Sequence, residues 1–161
     1  MSENVYYADL DEINGKGVLV TGHGKGLVMK NSNINGKYIT NDMVRLKSIN
    51  GELFGYQGYV KQENDKLTKI DYLLYFFEQT ENNQPLEPSI IDIEEYLSLS
   101  KHNIDIGGGI SAMFGRSSQS SKTTYNEYEE ILKQVTSVHF ISIPFTKDEN
   151  QRAIFVNDIV K

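Results

Sequence analysis

The chain has no cysteine and no tryptophan among its 161 residues, and only three prolines. Without cysteine there is no disulfide, no thiol nucleophile and no cysteine-based metal site. A basic excess is missing too. Sixteen Lys and Arg stand against 22 Asp and Glu, a net charge of −6, which argues against sequence-independent nucleic-acid binding. Long apolar runs are also absent. The longest, Tyr72-Leu73-Leu74-Tyr75-Phe76-Phe77, falls far short of the roughly 18 residues that cross a bilayer, so no stable membrane insertion is expected. Met1-Ser2-Glu3-Asn4 has neither the basic start nor the apolar run of a signal peptide, and Ser2 stands where myristoylation needs glycine. A cytoplasmic location is expected; export without a signal would leave no mark to read.

What is present fits one globular domain spanning 1–161, since domains run to about 100–200 residues. Hydrophobic residues make up 39% and charged residues 24%, the mixture of an ordinary folded chain. One tripeptide occurs three times: Ile13-Asn14-Gly15, Ile34-Asn35-Gly36 and Ile49-Asn50-Gly51. Asn-Gly suits a type I′ hairpin, because both central residues need positive φ. Between these turns lie segments rich in Val, Ile, Tyr and Leu, the signature of strands. Strands are predicted at Val5–Glu12, Gly17–Thr21, Leu27–Asn31, Lys37–Lys47, Glu52–Gln62 and Lys66–Phe77, forming an antiparallel meander over 5–78. The apolar face changes parity between Ile39 and Val44, which predicts a bulge or short loop near Asn41-Asp42. Lys66–Phe77 also fits helical spacing, and its aromatics favour the strand.

The second half, 89–161, reads as helix-strand-helix-strand-strand. Ser89 is placed as the cap of a helix over Ile90–Leu99, and Thr124 as the cap of a second whose buried stripe is Tyr128, Ile131, Leu132 and Val135. Between them, Ile104–Phe114 alternates with period two around Gly107-Gly108-Gly109 and runs into the serine-rich stretch 117–121. The terminal strands are Val138–Phe145 and Arg152–Val160, joined by a polar turn at 147–150. The predicted fold is therefore α+β, a mainly antiparallel sheet that could curve towards a barrel, with two short amphipathic helices.

No constellation of catalytic type stands out. Gly108, Gly109 and Arg116 are candidates for anion binding, since glycine amides and a basic side chain can cradle an anion. The spacing departs from a phosphate loop: five residues, not four, separate Gly109 from Gly115, and arginine follows. His23 and Lys25 lie in the turn Gly22–Gly26, where they would act as proton carrier and anion clamp or simply face water. Histidines 23, 102 and 139 have no metal-ligand spacing, so neither a metal nor a cofactor is expected.

The aromatic residues make the better case. Phe54, Tyr56, Tyr59, Tyr72 and Tyr75 give the strands near 54–60 and 66–77 two apolar or aromatic faces, and both need covering. Tyrosine suits contacts that are apolar and hydrogen-bonded at once. The expected function is thus non-enzymatic: a small interaction protein or assembly subunit, with a protein partner or self-association through aromatic strand surfaces or sheet edges. One alternative is a small-molecule-binding barrel or half-barrel lined by the tyrosines. A second is an enzyme using His23 with a distant carboxylate. The charge is uneven: residues 1–80 carry 9 basic and 10 acidic groups, residues 81–161 carry 7 and 12. The nearly neutral aromatic half is where a partner is expected.

Overall fold

Asn-Gly chemistry punctuates the first half. In the computed structural model, which describes residues 5–40, 43–57, 66–78, 87–100 and 127–161, the strands are β1 (Val5–Tyr6), β2 (Asp9–Ile13), β3 (Lys16–Gly22), β4 (Gly36–Thr40), β5 (Val44–Ile49), β6 (Glu52–Gln57), β7 (Thr68–Glu78), β8 (Ser89–Ile91) and β9 (His139–Phe145). Residues 93–100 and 127–133 are helical and are termed α1 and α2; α3 is Glu149–Ile159. Asn14 and Gly15 have φ of 51° and 79°, Asn50 and Gly51 of 52° and 81°. These are type I′ values, and the two turns join β2 to β3 and β5 to β6 with Ile13 opposite Lys16 and Ile49 opposite Glu52. The third tripeptide forms no hairpin. Gly36 opens β4 beside Glu12, where a Cβ would come 1.8 Å from the Glu12 carbonyl oxygen, so glycine serves close approach there.

The fold is α+β with a mixed sheet, ordered β1-β5-β6-β7-β3-β2-β4, with β9 beside β7 and β8 beside β9. β7 is the strand that makes the sheet mixed. It runs parallel to β3 and β9 and antiparallel to β6. An apolar strand on both faces must be covered on both, which places it in the middle of the sheet instead of at the end of a simple meander. The ladder shifts where Gly17 opposes Ile70 but Val18 opposes Tyr72, leaving Asp71 as the extra residue of a bulge. Ile70 consequently packs in the first core with Leu73, while Tyr72 joins Leu74 and Phe76 in the second, so Ile70 and Tyr72 do not share the face that uninterrupted alternation predicts.

Only Tyr7 and Ala8 separate β1 from β2, although these strands stand far apart in the sheet order. The sheet must curl to allow it, and it does not close into a barrel. A Cβ on Gly55 of β6 would lie 3.0 Å from both Leu10 of β2 and Ile70 of β7. The inside of the curl is filled by Leu10, Leu19, Val44, Leu46, Leu53, Ile70 and Leu73, under Tyr96 and Leu97 of α1 and Tyr128 and Leu132 of α2. Each such side chain contributes about 1.5–3 kcal/mol on burial. Tyr6, Tyr96 and Tyr128 are buried in this core together with the aliphatic side chains. The second core lies on the other face, where Val18, Val20, Leu74, Phe76, Ile141 and Ile143 meet Ala153, Val156 and Val160.

Four sequence-derived elements are corrected. Val5–Glu12 divides into β1 and β2, which pair with different neighbours. Leu27–Asn31 is not a strand; Lys25–Lys30 forms 3-10 turns that set Val28 against the second core. Ser89 lies in β8, and the α1 cap is Asp92, whose Oδ1 accepts from the Glu95 amide at 2.8 Å. Arg152–Val160 is helical: Asp148 accepts from the amides of Asn150 and Gln151, and Arg152, Ala153 and Val156 form the buried side of α3. The strand predicted over 66–77 is β7, and of the predicted stripe Tyr128 and Leu132 are buried in α2, Ile131 is half-buried, and Val135 is buried just past the helix. Residues 41–42, where a bulge or loop is predicted, lie outside the described residues, as do Thr124 and the glycine- and serine-rich segment 104–121.

Candidate functional site

Directly opposed residues of an antiparallel ladder share a face. On β5 and β6 the inner face carries Leu46, Gly55 and Leu53. The outer face carries Arg45 opposite Tyr56, Lys47 opposite Phe54, and Ile49 opposite Glu52; across β6, Phe54 faces Lys69 of β7. Phe54 and Tyr56 are half-buried, yet among the described residues they belong to neither hydrophobic core. The second core lies on this same side of the sheet but draws on β2, β3, β7 and β9, so α3 stops short of β5 and β6. Three cations and one anion frame the aromatic pair. Lys69 Nζ lies 3.2 Å from Glu52 Oε1, an exposed bridge of small energetic weight. Arg45 is only 8% exposed, and its Nε has no hydrogen-bond partner among the described residues. A buried guanidinium nitrogen without an acceptor is costly.

The other predicted binding residues go elsewhere. Tyr72 packs at the rim of the second core, its ring 5.3 Å from that of His139. Tyr75 lies against the first core on the opposite face, and burial pushes its phenol up. The structure thus brings Phe54 and Tyr56 together and separates them from Tyr72 and Tyr75. Tyr59, Gly108, Gly109 and Arg116 lie outside the described residues.

Two polar clusters were not apparent from the sequence. Under α1 and α2, the buried Tyr96 and Tyr128 hydroxyls are 2.9 Å apart, and the Tyr6 ring stands 4.5 Å from that of Tyr128. The Tyr6 hydroxyl is buried with no partner among the described residues, and burial raises its titration far above the ordinary phenol value. The second cluster covers β2. Lys25 Nζ lies 3.1 Å from Asp9 Oδ1 and 4.4 Å from the centre of the Tyr7 ring, and both members of the ion pair are buried. Two residues along the same face, Asp11 is fully buried, and among the described residues neither carboxyl oxygen has a hydrogen-bond partner. Burial foremost, and the Asp9 charge next, push it up to about 8, with Lys25 opposing. Asp11 therefore holds its proton at neutral pH.

His23 is exposed in its turn and meets the Phe145 ring edge-on at 4.9 Å; among the described residues no carboxylate bonds to its side chain. Lys25, placed by sequence on the same loop as an anion clamp, is turned inward to Asp9 instead. Among the described residues no group of three or more His, Asp or Glu side chains could hold a metal ion, and no helix is long and apolar enough to cross a membrane.

No family model and no curated protein matches this sequence. Solved structures do. The Hpr(Ser) kinase/phosphatase from Coxiella burnetii aligns over 96% of this chain and 95% of that chain, with a TM-score of 0.50 and 12% identity. At that identity the likeness is one of fold.

Proposed function

We propose that the chain is a small cytoplasmic interaction protein or assembly subunit whose docking surface is the outer face of β5 and β6. The observation that carries this reading is the placement of Phe54 and Tyr56, two half-buried aromatics outside both cores. Aromatic side chains left over from core packing and framed by long cationic ones are the composition of an interface centre. Arg45, Lys47 and Lys69 against Glu52 give that face an excess of two positive charges in a chain of net −6. The partner surface is accordingly acidic with an apolar centre.

A photo-crosslinking amino acid at position 56, compared in cells with one at the exposed Ser32, tests the surface. Discrete adducts at 56 and none at 32 are expected. Equal yields at the two positions, or no adduct at 56, would overturn the assignment.

A further inference from the structure

We infer, building on that docking reading, that the β5–β6 face is met by a second copy of this chain, which offers its acidic corner around β8 and the start of α1. Residues 70–100 contain seven acidic side chains (Asp71, Glu78, Glu81, Glu87, Asp92, Glu94 and Glu95) and no lysine or arginine. Four of them, Glu87, Asp92, Glu94 and Glu95, are exposed and flank Ile90 in the chain. Ile90 is 82% exposed, far more than any other large hydrophobic side chain described. Its strand, β8, pairs only with β9 among the described residues.

This corner is the complement of the β5–β6 face in both terms. One surface has exposed acids around an aliphatic centre; the other has Arg45, Lys47 and Lys69 around Phe54, Tyr56 and the exposed Ile49. Among the described residues, the ion pairs are Lys25–Asp9, Lys69–Glu52 and Lys133–Glu129, and none joins the acids at 87–95 to Lys47 or Lys69. Two different patches meeting head to tail either close reciprocally as a dimer or propagate as a chain.

Charge reversal in two variants tests this. Lys47→Glu with Lys69→Glu reverses the strand face, and Glu94→Lys with Glu95→Lys reverses the corner; all four side chains are exposed. Sedimentation velocity of wild type is expected to reveal self-association at about 50 mM salt that weakens at about 500 mM, where charges are screened over a few ångströms. Each variant alone is expected to associate at least about tenfold more weakly. An equimolar mixture is expected to recover a species of twice 18.3 kDa, because each variant keeps the surface the other has lost. Wild type that stays monomeric at low salt, or variants that fail to recover association on mixing, would overturn the inference. Adducts at position 56 with a different protein, alongside a monomeric wild type, would remove the second copy and leave the docking face standing. Loss of adducts at 56 would remove both.

Discussion

A carboxyl group with both oxygens buried and unbonded costs several kcal/mol as a carboxylate and much less as the neutral acid. Asp11 is such a group. In the unfolded chain it titrates near 3.8 and in the folded protein near 8, so between these values the folded state holds a proton that the unfolded chain has released. The residue disfavours folding least below pH 4. Its cost grows as pH rises through the interval and levels off above 8. Asp11→Asn keeps the shape of the neutral acid and cannot ionise. Chemical denaturation at a series of pH values is expected to find wild type and variant similar at pH 4 and the variant more stable at pH 8, by on the order of 5 kcal/mol. A constant difference across that range would exclude a buried titration at Asp11. The alternation Asp9-Leu10-Asp11 shows in the sequence that both acids share one face. It does not show that the face is roofed, because the roof is the segment Lys25–Lys30, whose apolar residues read locally as a strand.

At the scale of elements, Asp148 decides what the last dozen residues become. Its carboxylate accepts from two otherwise orphaned amides at 2.9 and 3.3 Å, which fixes the first turn of α3 and so delivers Ala153, Val156 and Val160 to the second core. Asp148→Ala is expected to lower stability by about 1 kcal/mol, and Asp148→Ser to recover most of it. Urea titration of the three proteins checks both. The cap is written in the sequence as Asp148-Glu149-Asn150-Gln151, an acid followed three places on by a glutamine, and it outweighs the β-branched run that follows. Asn14-Gly15 and Asn50-Gly51 were legible for a simple reason: positive φ at two consecutive residues is a local demand that local chemistry meets. Which strand lies beside β7 is not local. Its parallel partners β3 and β9 are brought there by long connections, and no short motif encodes them. The same holds for the candidate site. The sequence marks Phe54, Tyr56, Tyr72 and Tyr75 as one aromatic group; the bulge at Asp71 and the reach of α3 divide it.

At the scale of the whole molecule, β3 and β7 belong to both cores at once. Leu19 and Leu73 face the first, while Val18, Val20, Leu74 and Phe76 face the second. Two cores that share their central strands cannot melt independently, because loosening either face frees the backbone that the other is built on. Leu132→Ala removes a fully buried side chain beneath α2, and Val156→Ala removes one beneath α3. Losses of about 2–5 kcal/mol for the leucine and less for the valine are expected from transfer and cavity terms together. Near-ultraviolet dichroism, dominated by the tyrosines of the first core, and far-ultraviolet dichroism are expected to change along a single coincident transition in both variants. Val156→Ala is the sharper of the two tests, since its cavity lies across the sheet from Tyr96 and Tyr128. If its far-ultraviolet signal fell before its tyrosine signal, α3 and its core would be a separate cooperative unit, and β7 would be a boundary between two units instead of the spine of one.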